Sequence, residues 1–448
     1  MTDPLASIII LGWGGESYIA TCLKALRCQT YPALEVIVVD NGSSDRTAEI
    51  VERDFPEVKL IRTGRNLGVA GGNNVGLRAA QGEVFVLINA DVEVSSDWLT
   101  WLVRATQSDP TIGIVGAKLL YPDGTIQFAG GRIDRPRGCS YHLGWHELDR
   151  GQWDHFGDVD FVTGASLAIT RRALDQIGYE DERFFPIDYE DPDMSYRARA
   201  AGFRVVLAPQ AVAIHHESST TGATNLGRML SLYAGRLRFV CKHWSADQLL
   251  QEFLPTELNF LRTGPSLHSQ LSRWACLKML RELNDLADWR EQLGLGNRIE
   301  ALVVLTDVLT QLRQASLPGI SSTLPESVAQ IFETWFAVDD LIASLHGRAV
   351  LASLHDLHWR VEPHQPIAWP NWPRGVWPKV VALFQKVTRR LLSWYITPIV
   401  EEQNSINAAL MNVVELLVEE VVLLQKQPRA ISLSSVSKSD DYTTVVRD

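Results

Sequence analysis

The chain has 448 residues, a net charge of -11 and a hydrophobic fraction of 46%. That is the balance of a soluble globular protein too long for one ordinary core, so two or three domains are expected. The acidic excess argues against a general nucleic-acid binder. Five scattered cysteines, with neither metal-ligand nor disulfide spacing, point to a reducing compartment. Residues 1–6 lack the start of a signal peptide, and no uncharged apolar stretch approaches the ~20 residues of a bilayer span. The expectation is a cytosolic protein.

Ser7–Leu11 reads as a short buried strand ending in Gly12-Trp13-Gly14-Gly15, and Glu16–Arg27 has helical apolar spacing. Val36–Val39 is a second strand, ending in the polar turn Asp40-Asn41-Gly42-Ser43-Ser44-Asp45. Val58–Ile61 is a third, followed by Arg65-Asn66-Leu67-Gly68, and Val69–Ala80 is a helix rich in Gly and Asn. The run Val84-Phe85-Val86-Leu87-Ile88 then forms a strand covered on both faces. Strand and helix alternate with short connections, which predicts an α/β fold with a doubly wound, mostly parallel sheet.

Such sheets bind ligands outside the carboxyl ends of their strands. Three polar clusters fall at those ends: Asp40-Asn41, Arg65-Asn66 and Asn89-Ala90-Asp91. Each alone is ordinary turn chemistry; together they point to a nucleotide-type ligand. Asp91 is placed either to hold a hard cation or to cap a helix beginning near Ser95. The run Gly71-Gly72-Asn73-Asn74-Val75-Gly76 is neither a Walker loop nor a dinucleotide fingerprint. Its glycines suit either close approach to a ligand or a closely packed helix.

Further strands are expected at Ile112–Val115, Thr125–Phe128 and Val159–Ser166, with a loop over 131–158 long enough to be a lid. Arg171–Ile177 is a short helix. A second acidic cluster follows at Asp181, Glu182, Asp188, Glu190, Asp191 and Asp193, and Asp191-Pro192 opens a helix. Capping explains one or two of these acids; a packed, acid-rich helix start is also a place to seat a general base. Val205–Leu207 and Val212–Ile214 lead to His215-His216, a surface pair or an available metal ligand.

With these motifs in order, residues 7–243 resemble a family-2 glycosyltransferase of the GT-A fold, nearest the bacterial rhamnosyltransferase branch. The resemblance rests on Gln29-Thr30-Tyr31-Pro32, Val38 through Ser43, Asn66-Leu67-Gly68 with Gly72 through Gly76, and Asn89-Ala90-Asp91. It continues through Gly164-Ala165, Arg171-Arg172, Asp181 through Asp193, Gly202, His215 and Ser218-Ser219-Thr220. It implies that Asp40 bonds the base of a nucleoside diphosphate sugar, with Asn41, Arg65, Asn66, Gly68, Asn74, Asn89 and Asp91 on the donor side. It further implies Mg²⁺ or Mn²⁺ on Asp91 and His215, and Asp191 as the base of an inverting transfer. Glu190 is the alternative base or orients the site, and Gly164, Ala165 and Asp188 fall on the acceptor side. Asn89 stands where the family's metal motif often has a first acid, and Gly12 through Gly15 replace a frequent asparagine.

The implied activity is transfer of a sugar, a deoxysugar such as L-rhamnose first, to a saccharide or lipid-linked saccharide of a bacterial surface or cell-wall glycan. Other sugars (galactofuranose, an N-acetylhexosamine), or a catalytically weak scaffold of a polysaccharide assembly complex, are the alternatives. The expected domains are a GT-A unit over 1–244, a helical domain over 245–362, a linker plus amphipathic helices over 363–426 and a disordered tail over 427–448. Helices are expected near 246–262, 266–293, 297–315 and 325–357. Residues 376–426 suit either peripheral contact with the inner face of the cell membrane or an oligomer contact.

Overall fold

The computed structural model describes residues 3–216, 226–263 and 266–315. Strand β1 (Ala6–Gly12), helix α1 (Ile19–Arg27), β2 (Leu34–Asp40), α2 (Thr47–Asp54), β3 (Lys59–Arg62), α3 (Gly68–Ala79) and β4 (Val84–Asn89) alternate as expected. Then come β5 (Val92–Val94), α4 (Trp98–Ser108), β6 (Ile112–Leu120), β7 (Ile126–Phe128) and the hairpin of β8 (Gly131–Ile133) and β9 (Ser140–His142). Next are β10 (Gly157–Asp158), β11 (Ser166–Thr170), α5 (Arg171–Ile177), α6 (Glu190–Ala200) and β12 (Arg204–His215). The helical part has α7 (Leu226–His243), a π-helical turn over Gln248–Phe253, α8 (Leu254–Thr263), α9 (Ser266–Arg281), α10 (Leu283–Gln292) and α11 (Arg298–Ala315).

The main sheet runs β10-β12-β6-β11-β4-β1-β2-β3, with β5 on β12 and β7 on β6. β3, β2, β1 and β4 are parallel, and β6 and β12 are parallel to each other. β11 is antiparallel to both of its neighbours, β4 and β6. The chain order of the sheet turns back between β1 and β4, which puts a crevice at their carboxyl ends. Because β11 runs the other way, the residues just before it, Gly164 and Ala165, arrive at that same edge. Trp98, wholly buried, donates its indole N–H to Ser166 Oγ at 3.0 Å and fixes the start of β11.

Several expectations change in detail. Val159–Ser166 is not a strand: its backbone makes single crossings to Val205 and Gly131, and regular pairing begins only at Ser166. The two expected strands near 205 and 212 are one, β12, with a register shift between Ala208 and Val212. The expected helix over 266–293 divides at Glu282. Residues 131–158 are folded against the sheet, with Lys118 Nζ bonded to Asp149 at 2.7 Å and Asp154 at 2.6 Å. The glycines of α3 serve packing. A Cβ on Gly76 would lie 2.2 Å from Ile9 Cγ2, so the helix rests directly on β1. The expected helix over 325–357 and the segments 363–426 and 427–448 lie outside the described residues. Among the described residues no helix is long and apolar enough to cross a membrane.

Helix α7 packs on α6 through charge as well as apolar contact. Lys242 Nζ lies 2.7 Å from Asp193 Oδ1 and 2.9 Å from Asp181 Oδ2, with both Asp193 and Lys242 at 0% exposure. Arg197 holds the other oxygen of Asp193 at 2.8 Å, and Arg238 holds Asp181 at 2.7 Å. Burial pushes the Asp193 carboxyl up, but Lys242 and Arg197 outweigh it and hold the group well below the usual carboxylate range. Removing one partner from such a buried set leaves a desolvated charge behind, which is far costlier than losing a surface pair. Lys242→Met is therefore expected to lower stability by about 3–5 kcal/mol in urea unfolding, whereas Arg62→Met, at an exposed pair, changes it by less than about 1 kcal/mol.

Candidate functional site

A cavity of about 260 Å³ opens at the crevice edge of the sheet. Its walls come from the loop after β1 (Trp13, Gly15), Tyr18, the end of β4 (Asn89, Ala90, Asp91), the end of β12 (His215) and Gln127. The other side is made by Thr163, Gly164, Ala165, the segment Ile187 through Pro192, and Arg228 and Leu232 of α7. Ser140 and His142 of the hairpin complete the lining, so the segment read as a lid contributes two residues to the wall.

Asp91 and His215 meet because β5 pairs with the end of β12, Val92 opposite His215. His216 N–H donates to the Asp91 carbonyl at 3.0 Å, and His215 Nε2 lies 3.2 Å from Asp91 Oδ1. The Asn89 amide nitrogen lies 3.5 Å from that same Nε2, and Gln127 Oε1 is 2.8 Å from His215 Nδ1. Asp91 runs into β5, and the residue before α4 is Asp97, so Asp91 does not cap that helix.

Across the cavity, Asp191 stands in the first turn of α6 and accepts from the Gly164 N–H at 3.0 Å. Burial raises its carboxyl from the usual range to about 7; the Gly164 and Thr163 hydrogen bonds oppose that rise, and Asp188 adds to it. Glu190 is pushed well above the usual range by burial and by Asp191, Glu180 and Asp188, and its Oε2 is buried without a hydrogen-bond partner. Glu180 is raised to about 8 by burial, with Asn73 opposing.

The turn leading into α6 is strained. Asp188 and Tyr189 have φ of 80° and 74°, a region that costs non-glycine residues on the order of 1–3 kcal/mol each. Neighbours hold it in place. The Tyr189 hydroxyl donates to the Gly138 carbonyl at 2.8 Å and accepts from Ser140 N–H at 3.1 Å. Ser231 of α7 donates to the Ile187 carbonyl. A Cβ on Gly235 would lie 2.6 Å from the Asp188 carbonyl oxygen, so α7 approaches this turn closely only because it has glycine there.

The residues named from sequence thus divide into two groups. Asn89, Asp91, Gly164, Ala165, Asp188, Glu190, Asp191 and His215 line one cavity. Asp40, Asn41, Arg65, Asn66, Gly68 and Asn74 do not line it. Asp40 ends β2 beside Gly12 and accepts from Ser43 N–H at 3.1 Å. Asn41 bonds the Gly68 carbonyl at 3.0 Å, the Leu67 N–H at 2.9 Å and the Asn66 side chain at 3.2 Å, so it organises the turn before α3. Arg65 is exposed beside that turn. Asn74 is buried and clamps Glu180 through its carbonyl at 2.9 Å and its N–H at 3.0 Å. Arg228 was read from sequence as one of three α7 arginines placed either to approach a diphosphate or on a solvated basic face, and it lines the cavity; Tyr189 sits inside an acidic motif that drew attention to its neighbours, and Gln127 carries no local signal at all.

Residues 7–178 match Glycosyl transferase family 2. The uncharacterized protein y4gI of Sinorhizobium fredii is 33% identical over 282 residues, which are 58% of this chain and 30% of that protein. The N-acetylglucosaminyl-diphospho-decaprenol L-rhamnosyltransferase of Mycobacterium tuberculosis is 28% identical over 246 residues, covering 50% of this chain and 79% of that enzyme. A crystal structure of GalNAc-T7 with UDP, GalNAc and Mn²⁺ aligns at 16% identity and a TM-score of 0.48, covering 71% of this chain and 59% of that one. The chain spans less than a third of the length of the Sinorhizobium protein, at 30%. The match over residues 7–178 takes in the strands that build the cavity's sheet edge up to β11.

Proposed function

We propose that this domain transfers a sugar from a nucleoside diphosphate donor to an acceptor hydroxyl with inversion, Asp191 acting as the base. One observation carries the reading: a single cavity at the strand ends is lined by the Asp91–His215 pair on one side and Asp191 on the other. A carboxylate and an imidazole facing each other at 3.2 Å suit Mg²⁺ or Mn²⁺. Among the described residues no third His, Cys, Asp or Glu joins them, so donor diphosphate oxygens and water would complete the coordination. The metal, when bound, neutralises charge on the departing nucleoside diphosphate.

The chain's own residues do the rest. Asp191 takes the acceptor proton as the new bond forms, and a carboxyl raised to about 7 is a stronger base than an ordinary one. Gly164 N–H fixes the orientation of that carboxylate. Glu190 is raised in the same sense by burial and its acidic neighbours, which disfavours a second charge beside the base. Asp40 would meet the donor's base at the β2 end, with Arg65, Asn66, Gly68 and Asn74 shaping that side.

The Mycobacterium relative's name supports a deoxysugar donor such as a rhamnosyl nucleotide and a lipid-linked saccharide acceptor of a cell-wall or surface glycan. A lipid-linked acceptor would bring the reaction to the inner face of the cell membrane. The test is a panel of nucleotide sugars with Mg²⁺ or Mn²⁺, read as release of nucleoside diphosphate. Turnover with one donor is expected; neither turnover nor donor binding across the panel would overturn the reading.

Three outcomes follow for the chemistry. Asp191→Asn is expected to lower kcat by about 10²–10⁴-fold with nucleoside diphosphate binding unchanged by calorimetry. Since the base must be ionised, kcat/KM should fall about tenfold per unit of pH below about 7 and level off above it. Asp91→Ala should abolish the dependence of nucleoside diphosphate affinity on added Mn²⁺, so that its dissociation constant is the same with metal and with chelator.

A further inference from the structure

Gln127 in the middle of β7 and His215 at the end of β12 are both buried, at 3% and 7% exposure. Gln127 Oε1 lies 2.8 Å from His215 Nδ1, while the other ring nitrogen, Nε2, lies 3.2 Å from Asp91 Oδ1. An amide oxygen only accepts, so in this arrangement Nδ1 carries the proton and Nε2 presents its lone pair to the carboxylate. In the neutral ring two acceptors then face each other, an arrangement that either a metal ion between them or a proton on Nε2 makes favourable. If the amide turns over, its NH₂ group donates to Nδ1. The ring proton then resides on Nε2 and bonds Asp91, with no net gain or loss of protons. A glutamine satisfies both forms. A glutamate satisfies only the first, and a leucine satisfies neither, leaving a buried ring nitrogen unpaired.

We infer that Gln127 is a positioning residue for metal binding: its amide sets the His215 tautomer that offers Nε2 to a divalent cation, and turns over to satisfy the ring when the cation leaves. Outer partners of this kind typically govern metal affinity by 10–100-fold. The inference rests on the reading of Asp91 and His215 as the metal pair. Leu120 opposite Ile126 holds β7 on the end of β6, and β6 in turn runs beside β12, so the contact is built into the sheet.

The test is Mn²⁺ binding to the full chain with UDP or dTDP present, read from the electron paramagnetic resonance signal of free Mn²⁺. Gln127→Leu should weaken Mn²⁺ binding about 10–100-fold, and Gln127→Glu should bind as tightly as wild type or more tightly. With ¹⁵N-labelled histidine, adding Mg²⁺ and UDP should move wild-type His215 from the Nε2–H to the Nδ1–H pattern. Mn²⁺ affinity in Gln127→Leu equal to wild type, while His215→Ala loses it, overturns the role of Gln127 and leaves the metal pair standing. Equal loss in Gln127→Leu and Gln127→Glu likewise overturns it, since only the first lacks an acceptor. Failure of wild type to bind Mn²⁺ with either nucleotide overturns the metal pair, and this role with it.

Discussion

Two aspartates two residues apart on one helix meet opposite electrostatic surroundings, and the site depends on that division. Residues i and i+2 lie about 200° apart around a helix, on different faces. Asp193 therefore points toward α7, where Lys242 and His243, together with Arg197 of its own helix, hold it ionised, while Asp191 points to the cavity, where burial and neighbouring acids raise it. The charged face anchors the helix; the other face carries the carboxyl proposed as the base.

The helices beyond the sheet take part in this arrangement. Arg238 and Lys242 of α7 meet Asp181, and Glu282 and Asp285 close around Arg238. Glu257 of α8 joins Arg236 of α7 to Arg137 beside the hairpin. The unfavourable backbone at Asp188 and Tyr189 is held by the β8–β9 hairpin through Gly138 and Ser140 and by α7 through Ser231. The helical region thus helps to fix the position of α6.

The fold was legible wherever one strong local pattern decided an element. The apolar runs of β1, β2 and β4 and the spacing of α1 needed no tertiary information. Val159–Ser166 misled because Phe161 and Val162 are buried by packing rather than by regular pairing, and periodicity does not distinguish the two. At the site, Asp91, Asp191 and His215 could be picked out because each ends or opens an element at one sheet edge. Asn41 was picked out on the same ground and Asn74 for its place in a Gly-rich helical run, yet their side chains are occupied by turns and by Glu180. Residue type alone cannot tell a polar group facing a cavity from one tying two segments together. Gln127 was invisible because its partner is 88 residues away.

The one reversed strand leaves a lasting mark on how Asp191 is held. Because β11 enters the sheet from the ligand edge, the segment before it offers main-chain groups, and Gly164 grips Asp191 through its amide. A Cβ at that position would lie 3.9 Å from the Asp191 Cβ, an ordinary contact. A Cβ at position 164 therefore leaves the grip in place, while proline would remove it because it has no N–H to give. Alignment of the Asp191 carboxylate is written into chain direction rather than into a side chain.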